Sequence, residues 1–236
     1  GGIGLLIMVP LYARVLLNTR DAPIQPEKVA PRQARLTRED FGGLSFVLLI
    51  VTYLTQGMLF WGITLWIPMA VSSLGFSGWN AALASAMPYL LAVVLAIPMS
   101  WLSDKTGKRI LIASLGLLIP GAMLLVLPLV QSGVMKMTLI TLAMGYYASP
   151  NIWSIIQSSV RPHAVGAAAG IVNGLGAGGG GTLAGFMVAI LYARTGSYTS
   201  GFALLGALVI IGGVSLLTFG WWRSRHPVNH AQTAAL

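Results

Sequence analysis

No acidic or basic residue falls between Phe41 and Ser103, and none between Ile110 and Met135. Runs of about 18 or more uncharged apolar residues are long enough to cross a hydrocarbon core as helices, and water-soluble domains rarely tolerate them. Composition agrees, since 8% of the residues are charged and 56% are hydrophobic. The chain reads as an all-α polytopic membrane protein.

Six spans are predicted, at Leu44–Ala70, Trp79–Ser103, Ile110–Val130, Met137–Ser158, Val165–Ala193 and Ser200–Trp222. At about 1.5 Å rise per residue each reaches across a core of about 30 Å, the longest with some tilt. Pro68, Pro88, Pro98, Pro120, Pro128 and Pro150 lie in or near these spans. Neighbouring helices and hydroxyl side chains can take up the backbone groups that proline frees. Residues 1–17 are apolar except for Arg14, and too short for a full span; with no initiating Met and no signal-peptide pattern, they read as the end of a helix entered partway. Residues 18–43 form a polar linker with Pro23, Pro26 and Pro31, in which Thr37–Asp40 has capping-box character. Residues 44–222 form the six-helix domain, and 223–236 a polar tail.

The net charge of +9 raises the question of nucleic acid, but the cations sit at span ends and no aromatic-basic platform accompanies them. With the linker placed inside, twelve cations fall on inner segments: Arg14, Arg20, Lys28, Arg32, Arg35, Arg38, Lys105, Lys108, Arg109, Arg161, Arg223 and Arg225. Lys136 and Arg194 alone fall outside. That bias sets the linker and tail in the cytoplasm and excludes a nucleic-acid partner. With no cysteine, thiolate chemistry and disulfides are excluded.

Four of the seven charges between Phe41 and Trp222 are packed into Asp104, Lys105, Lys108 and Arg109, with Gly107 permitting a tight turn among them. Ser100–Arg109, SWLSDKTGKR, resembles the loop signature of the major facilitator superfamily, G-x-x-x-D-[RK]-x-G-[RK]-[RK], departing at Ser100 where the family has Gly. The resemblance implies the six-helix C-terminal half of a twelve-helix major facilitator fold, plus the end of the preceding helix, with a missing N-terminal six-helix half as partner. It also implies a gating role for Ser100, Asp104, Lys105, Gly107, Lys108 and Arg109, with Asp104 meeting a neighbouring helix end across the interface of the halves. Asp21-Ala-Pro23, Leu36-Thr-Arg-Glu39, Leu65-Trp-Ile-Pro68 and Gly170-Ile-Val-Asn173 resemble the anion:cation symporter group, whose members carry organic anions such as sugar acids.

Uncharged polar and aromatic residues supply the candidate solute site. Tyr53, Gln56, Gly57, Phe60 and Thr64 share a face of the first span by i, i+3, i+4 spacing, and Tyr147, Asn151 and Ser154 share one of the fourth, beside Tyr146, Pro150 and Trp153. Each can bond to a neighbouring helix or line a wet cavity. The resemblance points to Gln56, Trp153 and Asn173 as solute ligands, with Tyr53, Tyr147 and Asn151 around them. Gly166, Gly170, Gly174 and Gly178 recur every four residues, with Gly179, Gly180 and Gly181 extending the run, and predict a bare stripe for close helix packing, with a thin, bendable cavity wall as the alternative. Gly174-Leu-Gly-Ala-Gly-Gly179 fits a dinucleotide pattern by letter, but no strand precedes it. Ser-Val-Arg161-Pro-His163 joins the fourth and fifth spans, with Arg161 as a topology anchor or a gate contact between halves.

No Asp or Glu lies inside a predicted span, so coupling acids are expected in the missing half. His163, His226 and His230 lie in loops or tail and imply no metal site. No nucleophile or metal set supports an intramembrane enzyme. The expected function is secondary transport of a small organic anion by alternating access at a bacterial inner membrane, coupled to a proton or other ion, without a cofactor. A drug or sugar exporter and a non-transporting six-span scaffold are the alternatives.

Overall fold

The computed structural model describes residues 10, 13, 14, 36–146 and 149–225, without the side chains of residues 38, 39, 149 and 150. Two compact units divide the chain, Gly1–Arg35 and Leu36–Leu236. In the first, Pro10, Ala13 and Arg14 are helical. The rest of the expected helix end, Asp21-Ala-Pro23, Tyr147, His226, His230 and the tail past Arg225 lie outside the described residues.

The second unit is helical, with no strand among the described residues. Its helices are α1 Leu44–Ser73, α2 Gly78–Thr106, α3 Arg109–Leu125, α4 Gly133–Gly145, α5 Ser149–Gln157, α6 Val165–Asn173, α7 Gly181–Thr195 and α8 Tyr198–Arg225. Five stretches are long and apolar enough to cross a membrane: α1, α2, Arg109–Leu129, Pro162–Thr195 and α8. Two of the predicted spans differ from simple helices. The fourth, Met137–Ser158, is divided into α4 and α5. Pro150 has no N–H to offer the carbonyl of Tyr146, so the hydrogen-bond ladder fails there. The fifth is one rod, but between α6 and α7 it runs as a π-helix over Gly174–Gly180.

Chain ends of the helices follow local chemistry. Gly107 closes α2 in the left-handed conformation at φ 67°, donating its N–H to the Ser103 carbonyl. Gly196 closes α7 the same way at φ 68°. Ser132 caps α4 by accepting from the Met135 N–H. Within the spans, hydroxyls turn back on their own helix: Ser85 to Ala81, Ser114 to Ile110, Thr138 to Val134 and Thr218 to Val214. A hydroxyl bonded this way carries no unmet polarity into hydrocarbon.

Helix α8 packs most extensively, against α3 and α1. Gly206, Gly213 and Gly220 repeat at seven-residue intervals and put one glycine face of α8 on α3. A Cβ on Gly206 would lie 2.7 Å from the Gly121 carbonyl oxygen, and one on Gly121 would lie 2.8 Å from that of Gly206. The backbones themselves touch, which only paired glycines permit. On the α1 side, Thr52 Oγ1 reaches both the Leu48 carbonyl (2.8 Å) and that of Gly212 (3.2 Å), and Ser215 donates to Leu48 at 2.9 Å. Helix α2 is the opposite case. Little of it is buried, and Trp79, Val93, Val94 and Ile97 stand out from the bundle.

A polar clamp holds one end of the bundle. In the 3-10 turn Arg38–Phe41, Asp40 Oδ2 accepts from the Thr37 N–H (2.7 Å) and hydroxyl (2.9 Å), the acid's half of a capping box, while the Asp40 N–H goes to the Thr37 carbonyl instead of its hydroxyl. Asp40 Oδ1 takes Arg161 at 2.9 Å and lies 3.2 Å from His163 Nε2, while the Asp40 carbonyl accepts the Arg161 N–H at 3.1 Å. Arg161 is therefore tied to the start of α1, neither a bare anchor nor a free contact. The Thr37 bonds, then Arg161 and His163, lower the pKa of buried Asp40 from 3.8 to about 2.

Two outcomes follow for stability. Gly206→Val should cost about 1–3 kcal/mol, because the Gly121 backbone cannot yield, while Gly185→Ala, whose Cβ would meet Leu65 at an ordinary 3.4 Å, should be near neutral; thermal melts in detergent compare the two. Asp40→Asn should lower the melting temperature equally at pH 7 and pH 5. A carboxylate with a depressed folded-state pKa stabilises fully above its unfolded value of 3.8, and the contribution fades as pH falls through about 2. The gap between variant and wild type should thus narrow at pH 3, and a gap that narrows already between pH 7 and pH 5 would exclude Asp40 as its source.

Candidate solute site

The π segment brings its backbone against α1. Cβ atoms on Gly57 and Gly176 would each collide with the other helix, Gly57 with the Gly176 carbonyl and Gly176 with the Tyr53 ring. One turn on, Gly180 faces the Leu54 carbonyl and Gly181 faces Trp61. The predicted stripe behaves differently: Gly166, Gly170, Gly174 and Gly178 meet nothing within 4 Å. Within this chain the packing expectation holds for Gly180 and Gly181 and not for those four, and Gly176, outside the stripe, joins the contact. The two sets lie on different sides of the rod: Gly166, Gly170, Gly174 and Gly178 keep to the open side, and Gly176 and Gly180, also four apart, keep to α1.

Tyr53 and Trp153 meet across the α1–α5 contact. Trp153 Nε1 donates to the Tyr53 hydroxyl at 3.1 Å, and the rings lie 5.0 Å apart at 65°, edge to face. Three residues along α1, Gln56 has no exposed surface, and neither its amide oxygen nor its nitrogen has a hydrogen-bond partner. Two further turns on, Thr64 Oγ1 is also buried and unpartnered. Both orphans stand on the α1 face that the spacing selects. Most other span hydroxyls bond to a carbonyl, the buried Ser103 hydroxyl being a further orphan, and Gln56 stands out as an amide with two donors and an acceptor unmet, which marks a place where a ligand or water is needed.

The remaining candidates are dispersed. Asn151 is buried on α5. Asn173 closes α6 and is exposed, next to Gly174. Ser154, placed by spacing with Asn151, instead accepts from Arg109 at 3.1 Å. Spacing along one helix could not reveal that partner, which lies in a different loop.

In the Ser100–Arg109 loop Arg109 pairs with Asp104 at 2.9 Å, both well exposed. Asp104 finds its partner inside its own loop within this chain. An exposed pair of this kind adds little stability, typically about 0–1 kcal/mol. Lys105 lies 4.6 Å over the Trp101 ring, and Ser100 is half-buried. Because Arg109 opens α3 and also bonds Ser154, the loop is tied to α5 one residue from Trp153. Among the described residues no cluster of His, Cys, Asp and Glu could hold a metal ion.

Comparison with known proteins agrees with this arrangement. The inner membrane transport protein RhmT of Escherichia coli (strain K12) is 28% identical over 212 residues, covering 87% of this chain and 47% of that protein. The chain thus spans about half the length of the curated relative it matches. The profile of the Major Facilitator Superfamily matches residues 1–185, most of the chain. With the Ser100–Arg109 loop, the helical bundle and that match together, the chain belongs to the Major Facilitator Superfamily.

Proposed function

We propose that this chain is the C-terminal six-helix half of a secondary transporter that carries a small organic anion, such as a sugar acid, by alternating access with proton coupling. In this reading residues 1–17 end the sixth helix, 18–43 form the cytoplasmic linker, 44–222 the second bundle and 223–236 a cytoplasmic tail. The likeness to a protein named for inner membrane transport supports that membrane as the location. One observation carries the site: the buried, unpartnered amide of Gln56 beside the Tyr53–Trp153 pair.

The chemistry assigned to this half is neutral. Among the described residues the acids are Glu39, Asp40 and Asp104, all at helix ends or in turns, and no cation lies mid-span. A carboxylate therefore finds its counter-charge, and a proton its relay, on the other half. Gln56, Trp153 and Asn173 would take the hydroxyl-bearing part of the solute, with Tyr53, Tyr147 and Asn151 shaping the wall. An amide that both donates and accepts suits a polyol. The π segment supplies a bending point, since π turns are easily re-registered and glycine adds no side chain to obstruct the change.

Gln56→Leu separates a solute ligand from a structural residue. Removing an orphan polar group in favour of an isosteric apolar one is close to neutral for stability. The variant should melt at or above wild type, while uptake of a labelled sugar acid into proteoliposomes under an inward proton gradient falls about tenfold or more. Loss of stability with unchanged uptake would make Gln56 structural; efflux of lipophilic cations instead of acid uptake would favour an exporter.

The gate reading rests on the chain Asp104, Arg109, Ser154, with Trp153 next to the last. Asp104→Asn in the full-length transporter should lower the maximal rate strongly while solute affinity stays within about threefold. Unaltered turnover would remove the loop from the gate.

A further inference from the structure

A cavity of about 480 Å³ opens between the start of α3, the end of α5 and the end of α8, away from the solute face. Its rim carries Lys108, Arg109 and Arg223, and no acid lines it among the described residues. Arg109 is already matched by Asp104. Arg223 is not matched: it donates to the Ser159 hydroxyl at 2.8 Å and the Ser158 carbonyl at 3.2 Å, both neutral. Those bonds hold the guanidinium in place, and a guanidinium has five N–H donors, so some remain to be used. Lys108 is exposed, and among the described residues no hydrogen bond, ion pair or ring contact holds its ammonium. Among the described residues the rim is thus a net positive arc, with Arg223 fixed and Lys108 without a partner.

Below the rim the walls are apolar. Leu111, Leu217 and Trp221 line the cavity and stand 45%, 38% and 55% exposed, on the two most hydropathic spans of the bundle. A soluble-protein anion site would not border exposed leucine on a membrane helix. Trp221 sits at the span end, with Arg225 stacked 3.9 Å over its ring, the depth at which aromatic rings meet lipid headgroups. A positive rim above an apolar slope matches a molecule with a phosphate at one end and hydrocarbon at the other.

We infer that this cavity seats an anionic phospholipid of the leaflet on the Lys108 side, its headgroup phosphate held by Lys108 and Arg223 and an acyl chain lying along Leu111 and Leu217. Basic pockets between membrane helices take such headgroups, and each well-placed cation near an anionic surface adds about fivefold in affinity. The phosphate could equally come from a soluble anion, which the test separates.

Delipidated full-length transporter would be titrated with phosphatidylglycerol and with phosphatidylcholine in detergent, bound lipid being counted by native mass spectrometry. Wild type should take its first phosphatidylglycerol about tenfold more tightly than phosphatidylcholine, and Lys108→Gln and Arg223→Gln should each lower that affinity about fivefold. Arg223→Lys should keep most of it. Lys136→Gln, beside Ser73 and Ser197 in a separate cavity, should change nothing. Lys108 holds no partner among the described residues, so its variant tests the site without disturbing the fold; gel filtration checks Arg223→Gln. Equal affinity for the two lipids, or phosphatidylglycerol binding unmoved in Lys108→Gln, overturns the inference. So does binding of inorganic phosphate with the same Lys108 and Arg223 dependence but no preference for the lipid, which would reassign the cavity to a soluble anion.

Discussion

The backbone contact of Gly121 with Gly206 is the constraint from which the rest of the bundle takes its shape. In hydrocarbon, helices gain little from burying leucine against leucine rather than against lipid, so close approach and satisfied polar groups must supply the association. Glycine on both sides lets α3 and α8 come within backbone reach. That proximity places Gly213 against Leu118 and Gly220 against Ile110 along the same crossing. The opposite side of α8 is then presented to α1, where Gly212 leaves room for Thr55 and lends its carbonyl to Thr52. Helix α1 is in turn fixed from both sides, by α8 and by the π segment. The position of Tyr53 and Gln56 is thus inherited from a glycine pair on other helices.

Against that background the polar exceptions acquire meaning. Apart from the buried, unpartnered Thr64 and Ser103, most Ser and Thr in the spans give their hydrogens to carbonyls one turn back, and Ser215 and Thr52 extend the habit across an interface. Gln56 cannot do so. Its amide is too long to fold back on its own turn without exposing the other end, and no neighbour offers a donor or acceptor. A buried unmet amide costs about 1–3 kcal/mol, a cost a purely structural position would shed by becoming leucine. The physical case for a ligand rests on that asymmetry rather than on the presence of a polar residue in a membrane.

How much of this was legible beforehand depends on range. Charge-free length showed the spans, Gly107 showed the turn, and Thr37–Asp40 showed a cap, because each signal is local. The partner of Asp40 was not legible, since Arg161 lies far along the chain and its charge alone suits a topology anchor equally well. The division of the fourth span had a local sign in Pro150, yet apolar length outweighed it. The glycine stripe misled for a definite reason: the repeat names a side of the helix but not the neighbour that side meets, and two sets of glycines spaced by four occupy this rod, one open and one against α1. Asn173, selected by its neighbours in sequence, is exposed.

The π run also explains how one segment can serve both fit and movement. On its inner side Gly176 and Gly180 let α1 approach to backbone distance, so any side chain there would push Tyr53 and Met58 aside. On its outer side Gly174 and Gly178 leave open space. Leu175 and Ala177 are the side chains within the run, too few to interlock it with a neighbour. A helix whose hydrogen bonds already span five residues can pass a turn to its neighbour with little loss of bonding, and on the outer side no packing within this chain opposes the shift at Gly174 and Gly178. Under the alternating-access reading, bending at this point would move Asn173 relative to Gln56 without parting α8 from α3. Both glycine contacts bring a second backbone within reach, and they differ in their other side: the run also has an open face at Gly174 and Gly178.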